Sequence, residues 1–107
     1  MKKIANLIIV LIIFSFITAG TDGTIRGKVV EKDNNPLPGA QIYIKDLGIG
    51  TMADIDGNYI LLNVEVGTYE VTASMIGYSS KTITGVNVLM DQTYWLNFDM
   101  DVEAVKG

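Results

Sequence analysis

The chain has 107 residues, with 8 Lys and Arg against 12 Asp and Glu, and it contains neither His nor Cys. Without those two residue types there is no Ser–His or Cys–His nucleophile pair, no imidazole or thiolate metal site and no disulfide. A formal charge of −4 also argues against a nucleic-acid partner, whose phosphates need a basic surface.

Met1, Lys2 and Lys3 open the chain with positive charge. An apolar run follows over residues 7–17, and then the small residues Thr18, Ala19 and Gly20. This is the pattern of a secretory signal peptide, with cleavage expected after Ala19 or Gly20. The run is short for a transmembrane helix, which needs about 20 apolar residues; a retained signal anchor is the alternative. No Cys stands at the cleavage site, so a lipoprotein anchor is excluded. Loss of Lys2 and Lys3 with residues 1–20 takes the formal charge from −4 to −6. The remaining chain suffices for one domain with a modest core.

Residues 24–31 alternate, with Ile25, Gly27 and Val29 on one face and Arg26 and Lys28 on the other, as in a half-buried strand. Asp33-Asn34-Asn35-Pro36 is a turn cluster, and Pro38-Gly39 extends it. Residues 40–45 predict a second strand with Ala40, Ile42 and Ile44 inward. Residues 46–50 read as a loop.

Residues 51–62 read as strand, tight turn, strand. Asp54, Ile55, Asp56 and Gly57 suit a type I turn followed by a left-handed residue. The Asp54 carboxylate would accept the N–H two residues on, and Gly57 would take positive φ without a Cβ clash. A two-residue Asp56-Gly57 turn is the competing geometry, and both predict a β-hairpin. The flanks, Met52-Ala53 and residues 59–62, are apolar enough to be buried.

Residues 63–68 read as a connection. Residues 69–76 predict a strand with Tyr69, Val71, Ala73 and Met75 on one face. Gly77-Tyr78-Ser79-Ser80 ends it. Residues 81–89 predict a sixth strand whose apolar parity changes at Gly85, from Ile83 to Val86 and Val88; this predicts a bulge or bend there. Asp91-Gln92 turns the chain. Residues 94–100 predict a seventh strand with Leu96 and Phe98 inward and Trp95 on the outer face. Residues 101–107 carry no pattern and are expected to be a loose tail or linker. No helical period appears after residue 20. Seven short strands with turn signals about every ten residues predict an all-β, seven-stranded antiparallel β-sandwich.

Three clusters bear on chemistry. Asp54 and Asp56 have the separation of paired acids, but they sit on one turn with no cleft implied. Asp54-Ile55-Asp56-Gly57-Asn58 also brushes the calcium-loop pattern, yet its Gly is fourth rather than sixth and the closing Glu is missing. A turn held by its own carboxylate is the preferred reading. Tyr43, Tyr78, Tyr94 and Trp95 could stack a sugar, against the commoner role of aromatics in cross-strand packing. The sequence therefore predicts no catalytic residue, no metal site and no cofactor.

Five short motifs follow one another in order: Gly27-Lys28-Val29-Val30; Pro36-Leu37-Pro38-Gly39-Ala40; Thr51 through Asp54, Asp56 and Gly57 to Tyr59; Gly67-Thr68-Tyr69; and Ile76-Gly77-Tyr78. Together, over about residues 24–100, they resemble the carboxypeptidase regulatory-like domain, a transthyretin-like sandwich. The resemblance implies that Gly27, Pro38, Gly39, Ala40, Asp54, Asp56, Gly57, Tyr59, Gly67, Tyr69, Gly77 and Tyr78 are structural motif residues. In metallocarboxypeptidases the zinc and catalytic residues lie on a different domain, so the resemblance carries none of them to this chain. Similar domains precede the plug and barrel of TonB-dependent outer-membrane receptors, directly after a signal peptide. The expectation is therefore a signal peptide at 1–20, the domain at 21–100 and a tail or linker at 101–107. The protein is expected to be exported, in the periplasm or at the outer membrane, as a non-enzymatic amino-terminal part of a receptor for nutrient uptake. Protein partners or downstream domains are its expected contacts. A free-standing carbohydrate- or protein-binding module is the alternative, and an accessory domain of a metallocarboxypeptidase the third.

Overall fold

The computed structural model describes residues 21–103; the predicted signal peptide at 1–20 and residues 104–107 of the predicted tail lie outside the described residues. The longest strand, β1 (Asp22–Glu31), is the centre of the first sheet. On one side it pairs antiparallel with β4 (Asn58–Glu65). On the other it pairs with β7 (Thr93–Trp95) and then β8 (Phe98–Met100). The second sheet has the order β3 (Ile49–Met52), β2 (Gln41–Ile44), β5 (Gly67–Ser74), β6 (Lys81–Val88), all antiparallel. Two single 3-10 turns, Lys32–Asn34 and Lys45–Leu47, lie between strands.

The predicted alternation places the core. Ile25, Val29, Leu61, Phe98 and Met100 face inward from the first sheet, and Ile42, Ile44, Val71, Ala73, Val86 and Val88 from the second; all are buried. Their opposite neighbours, such as Gln41, Thr82 and Asn97, are exposed. Ile42→Ala should therefore cost about 2–5 kcal/mol through the cavity it leaves, whereas Gln41→Ala should stay within about 0.5 kcal/mol. Urea melts of the two variants check this, and equal costs would mean that both faces of β2 are covered.

The parity change in the sixth strand is a bulge. Gly85 has φ +71°, and the β5–β6 register slips between Tyr69/Val86 and Val71/Ile83. A second bulge was not foreseen. Asn63 takes φ +57°, and the β1–β4 register slips between Gly23/Val64 and Ile25/Leu61. Residues 63–68, read as a connection, are thus mostly strand, with only Val66 between β4 and β5.

Five expectations need correction. The turn at 54–57 forms, but it is not the tip of a hairpin: β3 belongs to the second sheet and β4 to the first. Ala53 N–H donates to Ala40 O at 2.8 Å and Ala53 O accepts Gly39 N–H at 3.0 Å, while β4 is taken up by β1. The two arms have better partners than each other, and the turn becomes a corner between sheets. The burial expected of its flanks fails with it: Ala53, Tyr59 and Leu61 are buried, but Met52, Ile60 and Leu62 are exposed.

The seven strands become eight. At Leu96–Asn97 the ladder to β1 passes to a side chain, because Lys28 N–H donates to Asn97 Oδ1 at 2.9 Å. The strand expected over 94–100 is therefore split into β7 and β8. Nor is the sandwich wholly antiparallel. The 89–92 connection delivers the chain to the start of β1, where Asp91 N–H meets Asp22 O at 3.0 Å. From there β7 and β8 run parallel to β1. Finally, residues 101–103 are held rather than loose. Ser79 N–H donates to Asp101 O at 2.8 Å, Glu103 N–H donates to Gly77 O at 3.0 Å, and Tyr78 bridges Val102.

Candidate interaction surface

The motif residues converge on the joints of the sandwich. Pro38 and Gly39 are the middle of a four-residue turn, with Ala40 N–H donating to Leu37 O at 3.4 Å and Gly39 at φ +85°. This is the type II pattern, in which Pro presets the first central residue and Gly supplies positive φ at the second. Ala40 follows, fully buried. Gly27 and Tyr59 are cross-strand partners, and both meet the Leu96 carbonyl. The Tyr59 hydroxyl donates to Leu96 O, and a Cβ on Gly27 would stand 1.9 Å from the same oxygen. The bare glycine leaves room for Tyr59 to reach from β4 across β1 to the β7–β8 break.

Burial pushes the Tyr59 phenol well above its ordinary value of 10.0. An acid whose folded pKa is raised contributes stability that is complete below about pH 10 and falls as pH rises past it, because the unfolded chain loses that proton first. Tyr59→Phe should therefore flatten part of the alkaline fall in stability. Melts of both proteins from pH 8 to 11.5 test this, and parallel curves would contradict it.

Gly67 and Tyr69 fix the tight β4–β5 link. The Tyr69 hydroxyl donates to Glu65 O at 2.8 Å and lies where a Gly67 Cβ would come within 2.9 Å. Gly77, at φ +87°, turns the chain so that the Tyr78 hydroxyl reaches Glu31 Oε2 at the end of β1. That hydrogen bond, with lesser help from partial burial and the Glu31 charge, raises the Tyr78 pKa.

Asp54 behaves as the turn reading requires. Its Oδ1 accepts the N–H groups of Asp56 and Asn58, each at 2.9 Å, and Gly57 takes φ +81°. Asp56 is exposed at the tip of the turn. Asp54 borders a shallow hollow, but its Oδ1 is taken up by the two turn N–H groups, and among the described residues no three of His, Cys, Asp and Glu are grouped to hold a metal ion. Asp54→Ala should cost about 1 kcal/mol, while Asp54→Asn, which keeps an accepting oxygen, should cost clearly less. Chemical denaturation of both variants measures the difference, and equal losses would assign the effect to charge.

The four aromatics do not share one surface. Tyr78 and Tyr94 are partly buried against the core. Tyr43 is half-buried on β2, in the second sheet. Trp95 alone stands well out, 66% exposed on the outer face of the first sheet. There it lies beside its register partner Arg26, whose Cζ is 4.8 Å from the indole centroid, a cation–π contact. Arg26 is flanked on its other side by Ile60, 41% exposed. Lys28 follows on the same face, between Asn58 and Asn97. The outer face thus carries a row of indole, guanidinium and aliphatic groups with a second cation behind it, on an otherwise acidic domain.

The sequence reading placed Arg26 on the outer face but missed Ile60 and Leu62 as surface groups. The signal was present in Ile60-Leu61-Leu62: three apolar residues in a row on a strand cannot all face one way.

No curated protein matches the chain. Solved structures with the same architecture do. A type II cohesin–X-dockerin complex from Acetivibrio cellulolyticus matches with TM-score 0.65 and 19% identity, over 75% of this chain and 58% of that one. Hydroxyquinol 1,2-dioxygenase from Pseudomonas putida matches with TM-score 0.59 and 11% identity, over 81% and 58%. A candidate carbohydrate-binding protein from Bacteroides uniformis matches with TM-score 0.57 and 13% identity, over 76% and 42%. This chain spans little more than half the length of these proteins or less, and at such identities the likeness is one of fold alone. The sequence itself matches the carboxypeptidase regulatory-like domain over residues 24–101. The chain belongs to the carboxypeptidase regulatory-like domain family.

Proposed function

We propose that the protein is an exported, non-catalytic accessory domain that contributes surface to a larger assembly, as the amino-terminal part of a TonB-dependent outer-membrane receptor for nutrient uptake. One observation carries the non-catalytic reading: the motif residues are occupied in joints of the fold, while the exposed row of Trp95, Arg26 and Ile60 serves no joint. The receptor setting is supported by the Ile76-Gly77-Tyr78 variant and by the signal-peptide pattern in front of the domain. The domain would fold in the periplasm and meet protein partners there.

Fractionation of cells expressing the native gene tests this, with an antibody raised against residues 21–103. The expected result is an outer-membrane band far larger than the 11.7 kDa of this chain, with its mature amino terminus near Thr21. A soluble periplasmic band of about this chain's own size would favour the free-standing module. Intact Met1 on an inner-membrane product would remove the export reading as well.

A second reading, a carbohydrate-binding module, draws on the exposed indole of Trp95 and on the Bacteroides uniformis neighbour. Retention on polysaccharide affinity gels that disappears in Trp95→Ala would select it.

A further inference from the structure

Four positions border the two sheets, and three are blunted. The strand β3 has four residues, and β7 and β8 have three each. Though longer, β6 starts with Lys81 and bulges at Gly85. Short edges, lysines and bulges are the usual defences against a further strand. The remaining edge, β4, runs for eight residues without Lys, Arg, Pro or Gly, and its bulge comes only after Leu62.

The backbone of this edge is open at a definable point. Val29 N–H donates to Gly57 O at 2.8 Å, so this is a hydrogen-bonded pair. Alternation along the register makes Lys28/Asn58 and Arg26/Ile60 non-bonded pairs, whose polar groups point away from each other. Three of these four residues have known outward partners. Lys28 N–H reaches Asn97, and Arg26 O accepts Leu96 N–H. Asn58 is closed by Asp54, which receives its N–H and donates to its carbonyl. Among the described residues the Ile60 N–H and C=O have no backbone partner on the open side. A hollow of about 210 Å³ runs along that side, where β3 and β4 diverge, with Thr51, Met52, Asp54 and Ile60 among its walls. Met52 in its wall and Leu62, two residues along β4 from Ile60, are each 59% exposed.

We propose that β4 is a docking edge for an extended segment of another polypeptide, which adds as a further strand beside Ile60. The fit prescribes its chemistry. Apolar side chains at alternate positions would lie over Met52, Ile60 and Leu62, and the backbone would satisfy Ile60. Asp54 and Asp56 stand at one end of the edge and Glu65 at the other, so the segment carries Lys or Arg at its ends. Arg26 also lines the hollow but is held against Trp95. A second copy of this chain fits worse. Antiparallel pairing about Leu61 sets each Glu65 over the turn holding the partner's Asp56, acid against acid. The inference rests on the domain being a surface-providing module, and not on its place in a receptor.

The probe is a synthetic heptapeptide of alternating Val and Thr with Lys at each end, added to the purified protein and followed by amide hydrogen exchange and calorimetry. The Ile60 amide should exchange freely in the protein alone and become protected with peptide. Ile60→Pro removes that donor without touching the β1 ladder, and Leu62→Lys adds a charge at an exposed position. Each should weaken binding by about tenfold or more, as loss of an edge hydrogen bond and like-charge contact require. A peptide with Glu in place of both Lys should bind more weakly. Binding that is unchanged in both variants, or protection that appears along β6, would overturn the proposal. Protection of Ile60 without peptide, accompanied by concentration-dependent dimerisation, would overturn it in favour of self-pairing. A receptor-sized band in fractionation is independent of every one of these results.

Discussion

Gly57→Val should destabilise the protein by about 2–6 kcal/mol, combining roughly 1–3 for a β-branched residue at positive φ with roughly 1–3 for overpacking. The backbone alone makes the substitution costly, because Gly57 has φ +81°. Space makes it worse. A Cβ there would stand 2.6 Å from Val29 O and 3.0 Å from Pro36 Cβ. Val29 O is already accepting Leu37 N–H at 3.0 Å, and Val29 N–H is donating to Gly57 O. One added carbon therefore presses on the point where the 54–57 corner, β1 and the proline loop meet. Gly39 provides the internal control. It has φ +85°, nearly the same conformation, yet nothing lies within 4 Å of its Cβ position. Gly39→Ala should show the conformational cost alone, and the excess in Gly57→Ala measures the crowding. Urea melts of the two alanine variants isolate that difference, and equal losses would refute the packing account.

Gly27→Ala should cost about 3–5 kcal/mol, from overpacking and the loss of a buried hydrogen bond. Positive φ plays no part at this position. The added carbon would lie 1.9 Å from Leu96 O and 2.6 Å from the Leu96 carbonyl carbon, closer than any non-bonded contact allows. Leu96 must move, and with it go the Tyr59 hydrogen bond and the bond from Leu96 N–H to Arg26 O. The damage should concentrate on the β1–β7–β8 side. Hydrogen exchange should accelerate at Leu96 and Phe98 before it does along β5. Uniform acceleration across both sheets would contradict the local account, and a neutral variant would mean that the close approach at Leu96 relaxes without cost.

Local chemistry carried much of the fold. Where strand parity was clean, as at Ile42/Ile44 and Val71/Ala73, the core followed, because a period of two leaves only one face to bury. The turn at 54–57 was legible to the level of hydrogen bonds, since an Asp that accepts nearby N–H groups and a Gly at positive φ are local requirements. What lay beyond reach was pairing. Nothing within residues 51–62 says that Ala53 will bond Ala40 or that β4 will join β1. Those choices belong to partners distant in the chain. The parallel approach of β7 was hidden for the same reason. Residues 94–100 were read as one strand, whereas the side-chain oxygen of Asn97 replaces a backbone acceptor and divides it. The motif glycines were identified by resemblance, and coordinates were needed to separate Gly27, excluded by contact, from Gly39, excluded by conformation. The outer row at Trp95 was half legible: the indole's face followed from parity, but its partner Arg26 needed the register of β1 with β7.

The parallel pairing of β1 with β7 and β8 has a mechanical meaning. Thr24 lies beside Thr93 and Glu31 beside Met100, so the chain enters the domain at one end of β1 and leaves at the other, about 30 Å away for ten residues of strand. Tension applied between residues 21 and 103 would pull two neighbouring strands in opposite directions along their length. Their mutual hydrogen bonds would be loaded together in shear instead of being peeled apart one by one. The domain is thereby suited to transmit a pull without unravelling, and the Leu96 carbonyl, clasped by Tyr59 over Gly27, sits in the middle of the loaded seam.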